Sequence, residues 1–404
     1  MIRTEKLLQD LNPAQREAVW APPGPLLIVA GAGSGKTRVL THRIAYFIAS
    51  NIAPHHILAI TFTNKTADEM KSRVIQLLDN ASSIPFVGTF HSLALRILRE
   101  DAPALGIAKS FVIADEGDSL GILKRIMKRL KISPEELTPS EALNRISREK
   151  SELRGPDEMA CKDEKEEIIR SLYEQYGQTL LNEGLLDFDD LLFYTVRLFQ
   201  KHPDVLEKYR RRWGHVFVDE YQDTNTAQYT LVQLLAGAHR SITVVGDDYQ
   251  AIYGWRNADY RNILNFQKDY PDAKVIKLEQ NYRSTQTILD AADAVIKKVS
   301  ARTEKTLIAT RPAGAPVSIT ELSDQEEEAA FIIDEILAMR KKGVSLSDAV
   351  VLYRTNAQSR SLEEAFMRYG IPYKIVGGVK FYLRKEVKDL IAYLRVVHSP
   401  ADSV

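Results

Sequence analysis

Apolar and polar positions change rhythm several times along this chain. LLIVA (Leu26 to Ala30) is an unbroken apolar run, ended by a glycine-rich turn and followed by a helical stretch from Lys36 onward. A second run, ILAIT (Ile57 to Thr61), precedes the helix-like TNKTADEMKSRVIQLL, and FVGTF follows. Short strands alternating with helices predict a parallel sheet with crossover helices. From about His91 to Trp213 the character changes. Residues 121–170 hold 12 Lys and Arg with 11 Asp and Glu, far denser in charge than the chain's 27%, so this segment reads as a helical, solvent-rich insertion between strands of the sheet. Strand patterns resume with VFV (Val216 to Val218) and ITVV (Ile242 to Val245). A third βα region begins near Lys274, with strands expected around Val317 to Thr320 and Ala349 to Tyr353.

Composition narrows the class. Over 404 residues, 54 Lys and Arg balance 54 Asp and Glu, which excludes a histone-like protein held to nucleic acid by bulk charge but leaves room for a local basic groove. A hydrophobic content of 45% is that of a globular chain, and a prior of roughly 150 residues per domain gives two to four domains. The single cysteine, Cys161, cannot form an internal disulfide, and no Cys/His set has zinc-site spacing. The opening MIRTEKLLQDLN lacks the apolar stretch of a secretory signal, and the longest apolar run, Leu26 to Gly33, is too short to span a membrane. The expectation is a cytoplasmic protein without a membrane partner.

The chemistry is carried by GAGSGKT, Gly31 to Thr37, which follows a strand and opens a helix. In that context it is a phosphate-binding P-loop: glycines let backbone N–H groups turn around the phosphates, and the helix N-terminus favours negative charge. Lys36 is expected on the β- and γ-phosphates and the Thr37 hydroxyl on Mg²⁺. Gly31, Ala32, Gly33, Ser34, Gly35 and Arg38 complete the expected nucleotide-binding set. VFVDEYQD supplies the acidic partner, with Asp219 to hold Mg²⁺ and Glu220 to orient or deprotonate the attacking water. In GDDYQAIYGWR, Gln250 lies near the sheet's carboxyl edge, either to sense the γ-phosphate or simply as a turn residue.

GAGSGKT, AITFTNKTADEM, GTFHS, DFDDLL, VFVDEYQDTN, VVGDDYQAIYGWRNAD and LEQNYRST occur in one order. Together they resemble the motif series of superfamily 1 DNA helicases of the UvrD/PcrA/Rep type, and the resemblance covers essentially the whole chain. It implies an ATP- and Mg²⁺-dependent motor moving 3′ to 5′ on single-stranded DNA, unwinding 3′-tailed duplex in repair or replication restart, with repair proteins as partners. It implies that Gln15 reads adenine, Tyr282 stacks on it, Gln250 senses the γ-phosphate, and Arg283 is an arginine finger. It places Phe62, Tyr253, Trp255 and Arg256 in base pockets, with Thr63, Asn64, Thr89 and His91 on the strand path. Arg354, Asn356 and Arg360 become candidate phosphate contacts. The alternative reading makes Phe62 and Tyr253 core aromatics and His91 a structural histidine.

The expected fold is α/β: a P-loop, RecA-like parallel sheet with a helical insertion, followed by an incomplete second RecA-like domain. The boundaries are residues 1–90 and 214–280 for the first motor domain, 91–213 for the insertion, 281–380 for the second motor domain and 381–404 for the start of a mobile accessory domain. Two motifs that the family carries further on are missing here, so the expectation is a truncated chain, weakly active alone. The alternative is a nucleotide- and single-strand-binding module, or one subunit of a split motor.

Overall fold

The computed structural model describes residues 4–79, 83–299, 302–376, 387, 389, 390 and 393. By their contacts these form two compact units, one extending to Pro316 and one beginning at Val317.

The first unit starts with α1 (Pro13–Trp20), whose N-terminus is closed by a capping box between Asn12 and Gln15. Then come β1 (Leu26–Ala30), α2 (Lys36–Ala49), β2 (Ile57–Thr61), α3 (Asn64–Leu77), β3 (Phe86–Thr89) and α4 (Phe90–Asp101). A two-residue strand, β4 (Val112–Ile113), leads into α5 (Glu116–Leu130), α6 (Pro139–Ser151) and α7 (Glu164–Asn182), and β5 (Leu185–Leu186) leads out. The chain returns through α8 (Phe188–Lys201), α9 (Pro203–Arg212), β6 (His215–Val218), α10 (Thr226–Ala236), β7 (Ile242–Gly246), α11 (Arg261–Asp269) and β8 (Lys274–Leu278). It continues as β9 (Gln280–Asn281), α12 (Gln286–Ile296) and β10 (Ile308–Ala309).

Six strands form one parallel sheet in the order β3-β2-β6-β7-β1-β8. Successive residues of β1 alternate between two cores. Leu27 and Val29 pack with Leu58, Ile60, Val216, Val218 and Val244 beneath α4, α8 and α10, whereas Leu26, Ile28 and Ala30 pack with Ala59, Phe217 and Val245 beneath α1, α2 and α3. The inner strands, buried on both faces, have no polar side, which is why they read as continuous apolar runs, whereas the edge strand β8 exposes Lys274 and Lys277. Each fully buried Val, Leu, Ile or Phe side chain among these stabilises the fold by about 1.5–3 kcal/mol.

Arg43 of α2 ties α1 to this sheet. Wholly buried, it donates to the carbonyls of Ala18, Val19, Ala21 and Pro22 and to Thr243 Oγ1 on β7. Burial pushes its pKa down to about 9, and the bonds satisfy carbonyls that the end of α1 leaves open.

The insertion is helical as expected, but only part of it stands apart. Helices α5, α6 and α7 share a core of their own around Leu123, Ile126, Ile146, Leu172 and Tyr176, while α4, α8 and α9 contribute to the sheet's core. The charge density that marked the segment conceals these amphipathic faces. Where the two parts meet, Lys150 Nζ of α6 reaches Asp187 and Asp190, both at 2.7 Å, and Tyr176 donates to Asp187. Burial alone would strip Lys150 of its proton; the two carboxylates outweigh it and hold the ammonium charged.

The second unit contains α13 (Gln325–Lys341) and α14 (Ser359–Arg368), packed through Ala329, Ile333, Ala365 and Ile371. The strands expected around Val317 to Thr320 and Ala349 to Tyr353 are not formed: neither segment has a ladder partner among the described residues. Ile319 and Leu352 stand 96% and 86% exposed, so the alternating pattern is present without the neighbour that would make it a strand. The accessory domain expected over 381–404 lies outside the described residues, save for residues 387, 389, 390 and 393.

Removing one member of a buried ion cluster leaves the others uncompensated. Lys150→Met should cost about 3–5 kcal/mol in urea unfolding, and adding Asp190→Asn should recover part of the loss.

Candidate nucleotide and nucleic-acid site

Because all six strands are parallel, their carboxyl ends lie along one edge, and the sequence-singled residues of the first unit follow those ends. Along the sheet these are Thr89 and His91 after β3, Phe62 to Asn64 after β2, Asp219 and Glu220 after β6, Gln250 to Arg256 after β7, Gly31 to Thr37 after β1, and Tyr282 and Arg283 beyond β8.

The loop after β1 has the phosphate-binding form. Gly33 and Gly35 adopt left-handed φ values of 76° and 92°, and Gly35 begins α2 without any side-chain cap. The first N–H groups of α2 are thus left for an anion. A Cβ on Gly33 would come within 2.5 Å of the Arg283 Cβ, and one on Gly35 within 2.8 Å of Gln15 Nε2, so both positions need glycine for space as well as for φ. Gln15 braces this loop: its amide donates to the Ser34 carbonyl at 2.9 Å and accepts from the Asn12 N–H. On the other side, Asn281 donates to the Ala32 carbonyl and the Tyr282 N–H donates to the Gly33 carbonyl at 3.0 Å. The Tyr282 hydroxyl accepts from Asn12, and Arg38 donates to the Asp10 carbonyl.

Lys36 Nζ lies 2.8 Å from Glu220 Oε2, and Thr37 Oγ1 lies 3.4 Å from Asp219 Oδ2. Glu220 has φ 49°, a left-handed backbone costing of order 1–3 kcal/mol that clusters at functional sites. Burial and the neighbouring Glu220 charge push the Asp219 carboxyl up to about 7, with Lys36 offsetting only part. Burial and Glu220 likewise raise Asp223 to about 6. The pocket is therefore short of positive charge. A hydroxyl and a buried carboxylate side by side are hard oxygen donors suited to Mg²⁺, and the residues fit that ion.

Gln250 donates to Asp247 Oδ2, and the Asp247 N–H donates to Gln222 Oε1 at 2.9 Å. Gln222 Nε2 in turn donates to Glu220 Oε2 at 2.9 Å, joining the ends of β6 and β7. Gln222, Asp247 and Asn281 were not singled out from sequence; Gln222 is two residues beyond Glu220 in VDEYQD, but only the fold brings it to β7.

The aromatic candidates separate. Trp255 is 69% exposed, with the Arg256 guanidinium 4.5 Å from its ring centroid and 5.3 Å from that of Tyr253, itself part-exposed. Phe62 is half-buried edge-to-face on Phe90, at the margin of the core. His91 sits 5.2 Å from the exposed ring of Phe188, and burial lowers its pKa to about 4, so it is neutral at pH 7. Phe188, from DFDDLL, joins the exposed aromatics of this edge; its flanking acids gave no sequence signal for that. The Thr89 and Thr63 side chains accept from Ser92 and Thr66 N–H as caps of α4 and α3, and Asn64 is exposed. In the second unit Arg354 and Asn356 are exposed, and Arg360 pairs with Glu364 at 3.0 Å.

A P-loop after β1, an acid pair two strands away after β6 and a glutamine-bearing loop after the intervening β7 define a P-loop nucleotide-binding protein. Residues 11–271 match the UvrD/REP helicase N-terminal domain, and residues 276–404 match the UvrD-like helicase C-terminal domain. The chain belongs to the UvrD/REP helicase family. It is 47% identical over 401 residues to proteins named ATP-dependent DNA helicase PcrA from Staphylococcus aureus and Staphylococcus epidermidis. The match covers 98% of this chain and 55% of each relative, so the chain spans about half the length of the curated relatives it matches. Sequence of both family domains is present, and the expectation of a truncated second domain finds no support in these matches. No helix among the described residues is long and apolar enough to cross a membrane.

The Asp219 carboxyl binds a proton in the fold between about pH 4 and 7 that it lacks when unfolded, so its burial lowers stability as pH rises through that window. Asp219→Asn should therefore raise the unfolding midpoint at pH 8 and leave it little changed near pH 4, where both side chains are neutral. Thermal unfolding of the two proteins at both pH values checks this.

Proposed function

We propose that this chain is a DNA helicase motor that hydrolyses ATP to move 3′ to 5′ along single-stranded DNA, in repair or replication restart. The reading is supported chiefly by one observation: nucleotide-type and aromatic-cationic groups share a single sheet edge, so that a change at one strand end is felt at the next. The relatives' name, ATP-dependent DNA helicase, supports the same reading.

Bound ATP and Mg²⁺ supply the reactive phosphoryl group and neutralise its charge. The chain's own residues do the rest. Lys36 leaves Glu220 for the phosphates, which frees the Glu220 carboxylate to orient water. Thr37 and Asp219 would hold the metal, the uncapped N-terminus of α2 would take phosphate oxygens, and Gln250 would test for the γ-phosphate. Arg283, whose Cβ lies against Gly33, is suited to the developing charge, a role worth about 10³–10⁵ in rate in this reaction class. Gln15 and Tyr282 flank the loop where adenine would lie. Trp255, Tyr253, Arg256, Phe62 and Phe188 offer stacking faces and a cation for a strand read without sequence preference, together with Thr63, Asn64, Thr89 and neutral His91. Arg354, Asn356 and Arg360 are proposed phosphate contacts of the second unit. The boundaries proposed from sequence put one motor domain at 1–90 with 214–280, interrupted by the 91–213 insertion, and a second at 281–380, followed by 381–404; by contacts, residues 281–316 pack within the first unit.

Strand displacement by the chain on 3′-tailed and 5′-tailed duplexes tests the reading. ATP-dependent displacement restricted to the 3′ tail supports it; a preference for the 5′ tail, or ATP turnover that single-stranded DNA leaves unchanged, overturns it. Lys36→Ala should abolish turnover with an unaltered circular dichroism spectrum. Trp255→Ala should weaken single-strand binding by about 1–3 kcal/mol while ATP affinity stays constant, and binding should fall as salt rises.

A further inference from the structure

Lys305 lies in none of the motifs that mark the site, yet its side chain is wholly shielded from solvent. Its Nζ is 2.6 Å from Asp247 Oδ1 and 2.8 Å from Asp248 Oδ1, and 3.4 Å from the centroid of the Tyr249 ring. The irregular segment around it is tied to the same loop: the Thr303 N–H donates to Asp248 Oδ2, and the Tyr249 hydroxyl donates to the Thr303 carbonyl at 2.9 Å. A desolvated ammonium ion is a poor way to gain stability, since well-packed apolar residues in its place often do as well or better. What the ion does fix is geometry.

The geometry concerns Gln250. The carboxylate of Asp247 is shared: Oδ1 takes Lys305 and the Tyr249 N–H, and Oδ2 takes the Gln250 amide. An amide has two N–H donors, so one bond to Asp247 fixes the side chain and leaves the second N–H for a phosphate oxygen. Without Lys305, Asp247 would have no cation beside it, and only the Tyr249 N–H would still hold Oδ1. The carboxylate that anchors the Gln250 amide would be less firmly fixed. Lys305 also belongs to the stretch matched by the C-terminal family domain, whereas Asp247 and Gln250 belong to the N-terminal one.

We propose that Lys305 is a positioning residue for nucleotide sensing, holding the Gln250 amide through Asp247 so that the site distinguishes a nucleoside triphosphate from a diphosphate. This rests on the reading of Gln250 as the γ-phosphate sensor.

Fluorescent ATPγS and ADP, each with Mg²⁺, provide the test through the ratio of their affinities. Gln250→Ala should cut the preference for ATPγS about tenfold, the worth of one hydrogen bond to a charged group, with ADP affinity unchanged. Lys305→Met should do the same, and Lys305→Met combined with Gln250→Ala should lose no more than Gln250→Ala alone. Lys305→Met with Asp248→Asn removes the cation together with one of its carboxylates, and gives the same readout should Lys305→Met alone fold poorly. If Gln250→Ala loses the preference while the Lys305 variants keep it, Lys305 is structural and the sensor reading survives without it. Losses that add in the combined variant, or equal losses of ATPγS and ADP affinity, also overturn the proposal. A wild-type chain without the preference, or a Gln250→Ala variant that retains it, sinks the sensor reading and this proposal together.

Discussion

The parallel pairing of six strands is the constraint on which everything else in the first unit rests. Parallel strands cannot be joined by tight turns, so each must be followed by a crossover, and every crossover starts at the same edge. Here that edge receives the P-loop, the acid pair, the glutamine-bearing loop and the exposed aromatics. The site is assembled from segments more than 200 residues apart in sequence without any of them being long. Both faces of the sheet are buried, so the strands cannot slide: a one-residue slip in β1 would exchange Ile28 and Val29 between two differently shaped cores.

Much of this was legible in the sequence, for a physical reason. A strand buried on both faces must be apolar throughout, and LLIVA and ILAIT coincide with β1 and β2 residue for residue. The P-loop was legible because its glycines, lysine and helix start are contiguous. What was not legible depends on which loops meet. Gln222, Asp247, Asn281 and Lys305 look unremarkable in sequence, and each becomes part of the site by reaching a neighbour delivered by another strand. The unformed strands of the second unit fail for a related reason. Val317 to Thr320 carries a strand's alternation, but pairing is a property of two segments, and one segment's pattern cannot supply its partner.

Electrostatics at the edge is deliberately unbalanced. Asp219, Glu220 and Asp223 surround Lys36, and burial holds two of those carboxyls well above the ordinary range. An apolar strand could carry the same turn at lower cost. The excess acid is what one expects where a divalent cation is to be held, since the ion's charge reverses the local penalty. The left-handed backbone of Glu220 adds to that cost at the same place.

The two-residue pair β4–β5 gives the excursion through α5, α6 and α7 a narrow stem, Val112 opposite Leu185 and Ile113 opposite Leu186. Chain leaves and re-enters the body of the protein side by side there, and the enclosed helices keep a separate core. In evolutionary terms the stem is a port. Lengthening, shortening or exchanging what it encloses leaves the strand ends and their chemistry untouched, provided the newcomer brings a cation to sit where Lys150 latches onto Asp187 and Asp190. A change enclosed by that stem is therefore met first by α5, α6 and α7, whose core is their own.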